Sequence, residues 1–234
     1  MLVAGIDGTR RGWVVVTYAD GVTAAFGAAT INEALQRLEA ASYVAVDMPI
    51  GFLDAAVPGG RECERLGRRM LGRRASSIFS SPCRAALACP DHPSASRTNR
   101  ESSPHGLGLS RQAHAIFPKM REIDAIVTPD LQERLFEIHP ELCFVEMALI
   151  ENVEAPAGKK TSAGVEQRMA LLEAVGFAAS SLCDHRRSWG ASRDDVLDAA
   201  AAAWTALRRA QGLARFLPHT PPTDARGLRM EMWI

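Results

Sequence analysis

The sequence lacks a long hydrophobic run. No stretch of its 234 residues approaches the ~20 apolar residues that a helix needs to cross a bilayer. The beginning of the chain has no basic segment ahead of an apolar run, and Asp7 comes too early for the apolar core of a signal peptide. We therefore expect a cytoplasmic protein with no membrane partner.

Cysteine is scarce and irregularly placed. The five cysteines are odd in number, and no two of them are spaced as CxxC. This pattern disfavours a zinc ribbon, a thioredoxin-like redox motif and a disulfide framework. We expect reduced and mostly buried thiols at Cys63, Cys83, Cys89, Cys143 and Cys183.

Net charge is also absent, since 27 Lys and Arg balance 27 Asp and Glu. The charges are nevertheless unevenly distributed, because residues 61–121 hold twelve Lys/Arg and only four Asp/Glu. A basic segment beside an acidic remainder is typical of an enzyme that binds a polyanion near a carboxylate metal site. Ordinary solvated helix faces account for the same pattern equally well.

The composition, with 47% hydrophobic and 23% charged residues, is typical of a folded globular protein. The strands and helices that the sequence predicts indicate an α/β fold. β-Branched and aromatic runs predict five strands, and Asp20-Gly21 predicts a tight hairpin turn between the second and third. The helix predicted after the third strand makes a crossover, so we expect the fourth strand to lie parallel to the first. The predicted strands are residues 2–7, 13–18, 22–26, 43–47 and 135–139.

Between the fourth and fifth strands the sequence predicts a long insertion, approximately residues 53–129. It begins with a basic helix over residues 61–74 and a Ser/Pro-rich loop. Residues 90–108 are poor in hydrophobics and predict a flexible loop. Further helices are expected over residues 110–127, 165–175 and 194–211, the last very rich in alanine, and another from Pro140.

Five carboxylates carry the functional hypothesis. Asp7 and Asp47 each end an apolar run, and parallel strands place such residues at one carboxyl edge of the sheet. Glu137 lies in the fifth strand, and Asp195 and Asp198 share one face of the alanine-rich helix. Such a cluster is costly without a cation, and oxygen-only ligands favour Mg²⁺ or Mn²⁺.

Each acid also has an ordinary structural explanation. Asp7 before Gly8 is typical of a turn, and Asp47 of a strand end. Glu137 would face solvent as an outward-facing strand residue, and Asp194 or Asp195 would cap the N-terminus of a helix. Asp198 is harder to explain in this way, because its neighbours on the helix are alanines.

Several basic and polar side chains are candidates for phosphate binding. Arginines recur at helical spacing in the basic helix, and short hydroxyl side chains follow it. Lysines next to the glycine at position 158 are further candidates, although exposed loops often contain such pairs. The nucleic-acid-binding candidates are Arg65, Arg68, Arg69, Arg73, Arg74, Ser76, Ser77, Gln112, Lys119, Lys159 and Lys160.

Four segments together resemble a known family: GIDGT, VAVDMPIGF, EIHPELCF and DDVLDAAAAAWTA. The order of these segments is similar to domain of unknown function family 429, a set of predicted RNase H-like nucleases, across nearly the whole chain. The last segment also resembles the acidic pair of RuvC-type Holliday junction resolvases. The resemblance implies one RNase H-like domain over residues 1–234, with a mixed five-stranded sheet whose first three strands are antiparallel.

By that resemblance Asp7 bridges the metal ions, Asp47 or Glu137 is the second ligand, and Asp195 and Asp198 are helix-borne ligands. The implied function is metal-dependent hydrolysis of DNA or RNA, and the hydrophobic C-terminal residues suggest a homodimer. Two alternatives remain open: a phosphotransferase of the actin-like ATPase type, whose first strand also carries Asp-Gly-Thr, and a non-catalytic nucleic-acid-binding module.

Overall fold

A computed structural model describes all 234 residues of the chain. Its internal contacts divide the chain into two compact units. Unit 1 comprises Met1–Asp47, Arg134–Arg215 and Trp233–Ile234, and unit 2 comprises Met48–Glu133 and Phe216–Met232. The predicted insertion therefore falls within unit 2, together with a segment from the C-terminal part of the chain.

Unit 1 contains a five-stranded mixed sheet in the order β3-β2-β1-β4-β5. Its first three strands are antiparallel neighbours, whereas β1, β4 and β5 run parallel. This confirms the predicted α/β architecture and the predicted parallel pairing of the first and fourth strands. The strands are β1 (Leu2–Gly8), β2 (Trp13–Ala19), β3 (Val22–Ala28), β4 (Tyr43–Val46) and β5 (Leu135–Glu137).

The turn between β2 and β3 shows why the hairpin could be recognised from the sequence. Ala19 pairs with Val22, so the loop is only two residues long. Asp20 and Gly21 both have positive φ angles, 50° and 86°. Asp and Gly tolerate this conformation, and such turns match the natural twist of paired strands.

Eleven α-helices and two 3₁₀ helices complete the chain, with two further short strands, β6 (Phe216–Leu217) and β7 (Met232–Trp233). The 3₁₀ helices are Gly72–Ser77 and Arg186–Trp189. The α-helices are α1 (Ile31–Arg37), α2 (Glu62–Leu71), α3 (Arg84–Leu87), α4 (His92–Glu101), α5 (Arg111–Ala115), α6 (Phe117–Ile126), α7 (Pro129–Gln132), α8 (Pro140–Ile150), α9 (Ser162–Ala174), α10 (Ala179–Asp184) and α11 (Arg193–Ala210).

Helix α11 packs closely on the centre of the sheet in unit 1. A Cβ atom on Gly5 of β1 would lie only 2.1 Å from the carbonyl oxygen of Ala199 and the amide nitrogen of Ala203. Residues 199–203 are all alanines and all buried. Because neither surface has a large side chain at this point, the helix backbone approaches the strand directly.

In unit 2, the predicted loop over residues 90–108 is wrong for residues 92–101. The structure has α4 there, and Asp91 caps it by accepting a hydrogen bond from the Ser94 amide at 2.8 Å. The helix buries polar Asn99, whose side chain accepts from the Cys83 amide and donates to the Leu107 carbonyl, both at 2.8 Å. Hydrogen bonds, rather than apolar contacts, hold the buried face of this helix. The sequence therefore has no apolar repeat that would predict it.

The cysteine prediction is confirmed. All five cysteines are free thiols, and only Cys89 is not fully buried. Burial raises the pKa of the Cys143 thiol to about 12. None of the helices combines the length and the hydropathy needed to cross a membrane.

Candidate metal centre

Three carboxylates from distant parts of the sequence meet at one edge of the sheet in unit 1. Asp7 lies near the end of β1, and Asp47 directly follows the parallel strand β4, its amide bonded to the Ile6 carbonyl at 3.0 Å. Asp198 lies in the second turn of α11. One carboxylate oxygen from each residue lies within 4.8 Å of those of the other two.

Burial makes this cluster electrostatically unfavourable as three anions. Asp7 and Asp198 are only 8% and 4% exposed. Loss of hydration raises the pKa of the Asp7 carboxyl well above its ordinary value, and Asp47, Asp198 and Asp195 raise that pKa further. Burial likewise raises the pKa of Asp47, with Asp198 the next cause, and raises the pKa of Asp198 to about 6.

A lysine provides part of the missing counter-charge. The Lys159 ammonium donates a hydrogen bond to Asp198 Oδ2 at 3.1 Å. The Asp198 carboxylate raises the pKa of Lys159, with smaller contributions from Asp47 and Asp7, so the lysine is held as a cation. Its side chain remains 45% exposed, so the ammonium is accessible from solvent as well as from the cluster.

The loop that carries Lys159 is anchored by a buried ion pair. Arg168 on α9 contacts Glu141 at the start of α8, with 2.6 Å between Arg168 Nη2 and Glu141 Oε1. The same guanidinium donates to the carbonyls of Ala157 and Gly164 at 2.8 and 3.0 Å. The sequence analysis missed both residues of this pair, and their only local signal is the position of Glu141 in the first turn of a helix.

Close backbone packing also holds the loop in place. A Cβ on Gly164 would lie 2.3 Å from the Gly158 carbonyl oxygen, so the third residue of α9 must have no side chain. Thr161 caps α9 by accepting from the Gly164 amide at 3.0 Å, and its hydroxyl donates to the Gly158 carbonyl at 2.9 Å. The position of Lys159 is therefore determined by the N-terminus of the following helix.

The other two predicted carboxylates lie beside the cluster without joining it. Glu137 is the last residue of β5, is only 3% exposed, and raises the pKa of Asp47. Asp195 accepts a hydrogen bond from the Ser192 amide at 2.8 Å, so it completes the N-terminal cap of α11. Asp195 also raises the pKa of Asp7, and so it has both a structural and an electrostatic effect.

The predicted arginines of the basic helix have different environments. Arg65 donates to the Gly60 carbonyl at 2.8 Å, and Arg68 donates to the Ile78 carbonyl at 2.8 Å. Arg68 also contacts the Gly59 carbonyl. These two side chains therefore hold the surrounding backbone of unit 2, whereas Arg69 and Arg73 are exposed and Arg74 is half-buried.

The remaining phosphate-binding candidates are scattered. In unit 2, Ser76, Ser77 and Gln112 are exposed, and the half-buried Lys119 lies 3.2 Å from Glu122. Lys160 in unit 1 is exposed beside Lys159. Lys159 is thus the one nucleic-acid-binding candidate that the structure brings to the carboxylate cluster.

Comparison with known proteins adds one finding. The model of a family described as a protein of unknown function (DUF429) matches residues 5–223 of the chain. The chain belongs to this family. The DUF429 match includes Asp7, Asp47, Asp198 and Lys159, and extends over both units. The chain matches no curated protein and no solved structure.

Proposed function

We propose that this DUF429 protein is an RNase H-like nuclease that hydrolyses phosphodiester bonds of DNA or RNA with the help of Mg²⁺ or Mn²⁺. One observation carries the proposal. Asp7, Asp47 and Asp198 place carboxylate oxygens within 4.8 Å of one another, with Asp7 and Asp198 buried and Asp47 half-buried. A buried group of like charges at a sheet edge is a candidate for function, because nothing in folding alone favours it.

The topology supports the same conclusion. Three antiparallel strands followed by two parallel ones, with α11 against β1, form a sheet of the kind that RNase H-like proteins share. The acids lie at the carboxyl edge of its parallel strands, where α/β sheets bind ligands. Fold likeness alone does not establish chemistry, so the proposal depends on the carboxylates.

The donor set fits Mg²⁺ or Mn²⁺. All three ligand residues offer oxygen, which these ions prefer to nitrogen or sulfur. On an octahedral ion at 2.0–2.1 Å, ligand oxygens are about 3 Å apart as neighbours and about 4.2 Å apart across the ion, so side chains whose oxygens lie within 4.8 Å must move closer to share one ion. Burial raises the pKa values of all three carboxyls, and repulsion within the cluster adds to the shifts of Asp7 and Asp47; a bound cation would counter both effects.

Within the proposed site each residue has a separate role. Asp7, Asp47 and Asp198 hold the divalent cation, which lowers the pKa of water and polarises a phosphoryl oxygen when it is bound. Glu137 and Asp195 increase the negative potential around the ligands. Lys159, whose ammonium contacts Asp198, would provide a positive charge for a non-bridging phosphate oxygen.

The proposal is tested by incubating the purified protein with single-stranded, duplex and branched DNA and RNA in the presence of Mg²⁺ or Mn²⁺. We expect cleavage that requires the metal and that falls at least ~10³-fold in Asp7→Asn, because a neutral amide at this position leaves the cation with too little charge. Product formation on denaturing gels gives the rates.

Asp194→Asn is the matched control, since Asp194 lies in the first turn of α11 but outside the cluster. We expect it to cleave within a few-fold of the unmodified rate. The absence of metal-dependent cleavage on every substrate would refute the nuclease proposal. ATP binding in its place would favour the phosphotransferase, and metal-independent nucleic-acid binding that survives Asp7→Asn would favour the non-catalytic module.

A further inference from the structure

Unit 1 contains a second polar site, lined by three arginines. An open cavity of about 590 Å³ is bordered by Arg10, Arg11, Arg187, Gly190 and Ala191. None of the three arginine side chains forms an ion pair with a carboxylate, and all three residues are exposed. Three arginines of like charge thus border one cavity without a carboxylate partner, and an anion in the cavity would balance that charge.

The backbone on one side of the cavity is well ordered. Arg10 and Arg11 lie in the turn between β1 and β2, which closes with a hydrogen bond from the Thr9 amide to the Gly12 carbonyl at 2.8 Å. The Thr9 side chain accepts from the Arg11 amide at 3.3 Å, and Thr9 is only 8% exposed. The turn therefore presents two consecutive arginines on a fixed backbone.

The opposite side is equally fixed. Arg187 belongs to the 3₁₀ helix Arg186–Trp189, and Trp189 packs so closely on β3 that a Cβ on Gly27 would lie 2.8 Å from its Cβ. Gly190 has a φ of 66° and contacts the Arg11 side chain. A Cβ at position 190 would lie 3.1 Å from Arg11 Cδ. A larger residue at Gly190 would be strained and would displace the Arg11 side chain.

Chain connectivity places the cavity beside the metal centre. Arg10 is three residues after Asp7, so their Cα atoms are at most about 11 Å apart. Ala191 is four residues before Asp195, which raises the pKa of Asp7. Two independent connections therefore hold the arginines near the carboxylates, at the end of the sheet where the proposed reaction takes place.

We infer that this arginine cavity binds a phosphate of the nucleic-acid strand next to the phosphate that is cleaved. One guanidinium group can donate two parallel hydrogen bonds to phosphate oxygens. A cavity bordered by three arginines therefore suits a phosphodiester better than a base. The inference rests on the proposed function, since it assigns a subsite of the same active site. No local sequence pattern indicates this subsite, because Arg187 is more than 170 residues from Arg10 and Arg11 in the chain.

The test measures binding separately from cleavage. In the Asp7→Asn background, the affinity for a fluorescently labelled single-stranded oligonucleotide and for a duplex is measured by anisotropy at several salt concentrations. We expect the added pair Arg10→Ala and Arg187→Ala to weaken binding at least about tenfold at 0.1 M salt. The slope of log K against log salt is negative, and its magnitude should decrease by about 0.7–0.9 for each phosphate that the protein no longer neutralises.

Arg215→Ala is the matched control, because it removes one positive charge beyond the opposite end of the 18-residue helix α11. Glu146, its partner, keeps a second contact with Arg208. We expect the salt slope of this variant to stay within about 0.3 of the unmodified value. Circular dichroism confirms folding, and Arg10→Glu provides a second variant at a fully exposed position.

The outcomes separate the two proposals. If the unmodified protein cleaves nucleic acid while the double arginine variant keeps the affinity and the salt slope of the Asp7→Asn protein, the phosphate subsite is wrong and the nuclease stands. If no cleavage occurs but the slope falls in the arginine variant, the nuclease proposal fails and the cavity is a phosphate-binding site of a non-catalytic nucleic-acid-binding protein. Failure of the Asp7→Asn protein to bind either oligonucleotide would overturn the subsite.

Discussion

At the scale of single residues, the carboxylates of the candidate metal centre destabilise the metal-free protein when they are ionised. Asp7, Asp47 and Asp198 are held together where hydration is poor, and Lys159 balances only part of their charge. The surrounding structure must therefore provide the stability that these groups remove. Sites built in this way are stabilised by the ligand that relieves the repulsion.

The raised pKa values predict how stability varies with pH in the metal-free protein. The Asp198 carboxyl has a pKa of about 6 in the folded protein and an ordinary value of 3.8, so the folded state binds a proton first as pH falls. We expect the free energy of unfolding in EDTA to rise by on the order of 2 kcal/mol between about pH 7.5 and pH 4.5. Urea denaturation at a series of pH values measures it.

Asp7→Asn is the control for this pH dependence. It removes one of the repelling charges, so the metal-free variant should be more stable than the unmodified protein at pH 7 and should respond less to pH. Saturating Mg²⁺ or Mn²⁺ should reverse the trend in the unmodified protein, because the cation binds deprotonated carboxylates. A metal-free unmodified protein that loses stability steadily from pH 7.5 to pH 4.5 would contradict the assignment.

At the scale of secondary-structure elements, the packing of α11 on β1 determines where Asp198 lies. The contact depends on Gly5, whose missing side chain allows the Ala199 backbone to approach. The loop that carries Lys159 depends in the same way on Gly164 and on the Arg168–Glu141 pair. The site thus depends on residues that touch neither metal nor substrate.

Gly5→Ala tests that dependence. The added methyl group would overlap the α11 backbone, so we expect a loss of at least about 2 kcal/mol in the free energy of unfolding and a weaker affinity for Mn²⁺. Chemical denaturation and metal titration provide the two measurements. Gly158→Ala is the control, because its Cβ meets open space and its φ is not positive, and it should cost less than about 1 kcal/mol.

At the scale of the whole molecule, all the residues of the proposed metal site belong to unit 1. We expect Mg²⁺ or Mn²⁺ to slow hydrogen exchange in peptides from β1, β4, α11 and the Lys159 loop, because ligand binding stabilises the elements that form the site. Peptides from α2 to α7 in unit 2 serve as the internal reference. Protection confined to those unit 2 peptides would exclude the carboxylate cluster as the metal site.

Local sequence signals were sufficient for much of unit 1. The Asp20-Gly21 turn, the apolar runs that end at Asp7 and Asp47, and the Pro140 helix start are each encoded within a few residues. Their conformations follow from steric limits on the backbone and from alternating burial. Helix α4 escaped prediction because Asn99 and other polar groups, rather than an apolar stripe, hold its buried face.

By itself, the sequence determined the strands, the hairpin and the acids that end β1 and β4, because these depend on short-range steric and hydrophobic patterns. Only the tertiary structure decided that Asp198 and Lys159 reach those acids and that Arg10, Arg11 and Arg187 share a cavity. Such contacts join residues far apart in the chain. They depend on how closely backbones pack at Gly5 and Gly164 and on the contact of the Arg11 side chain with Gly190, which no local pattern specifies.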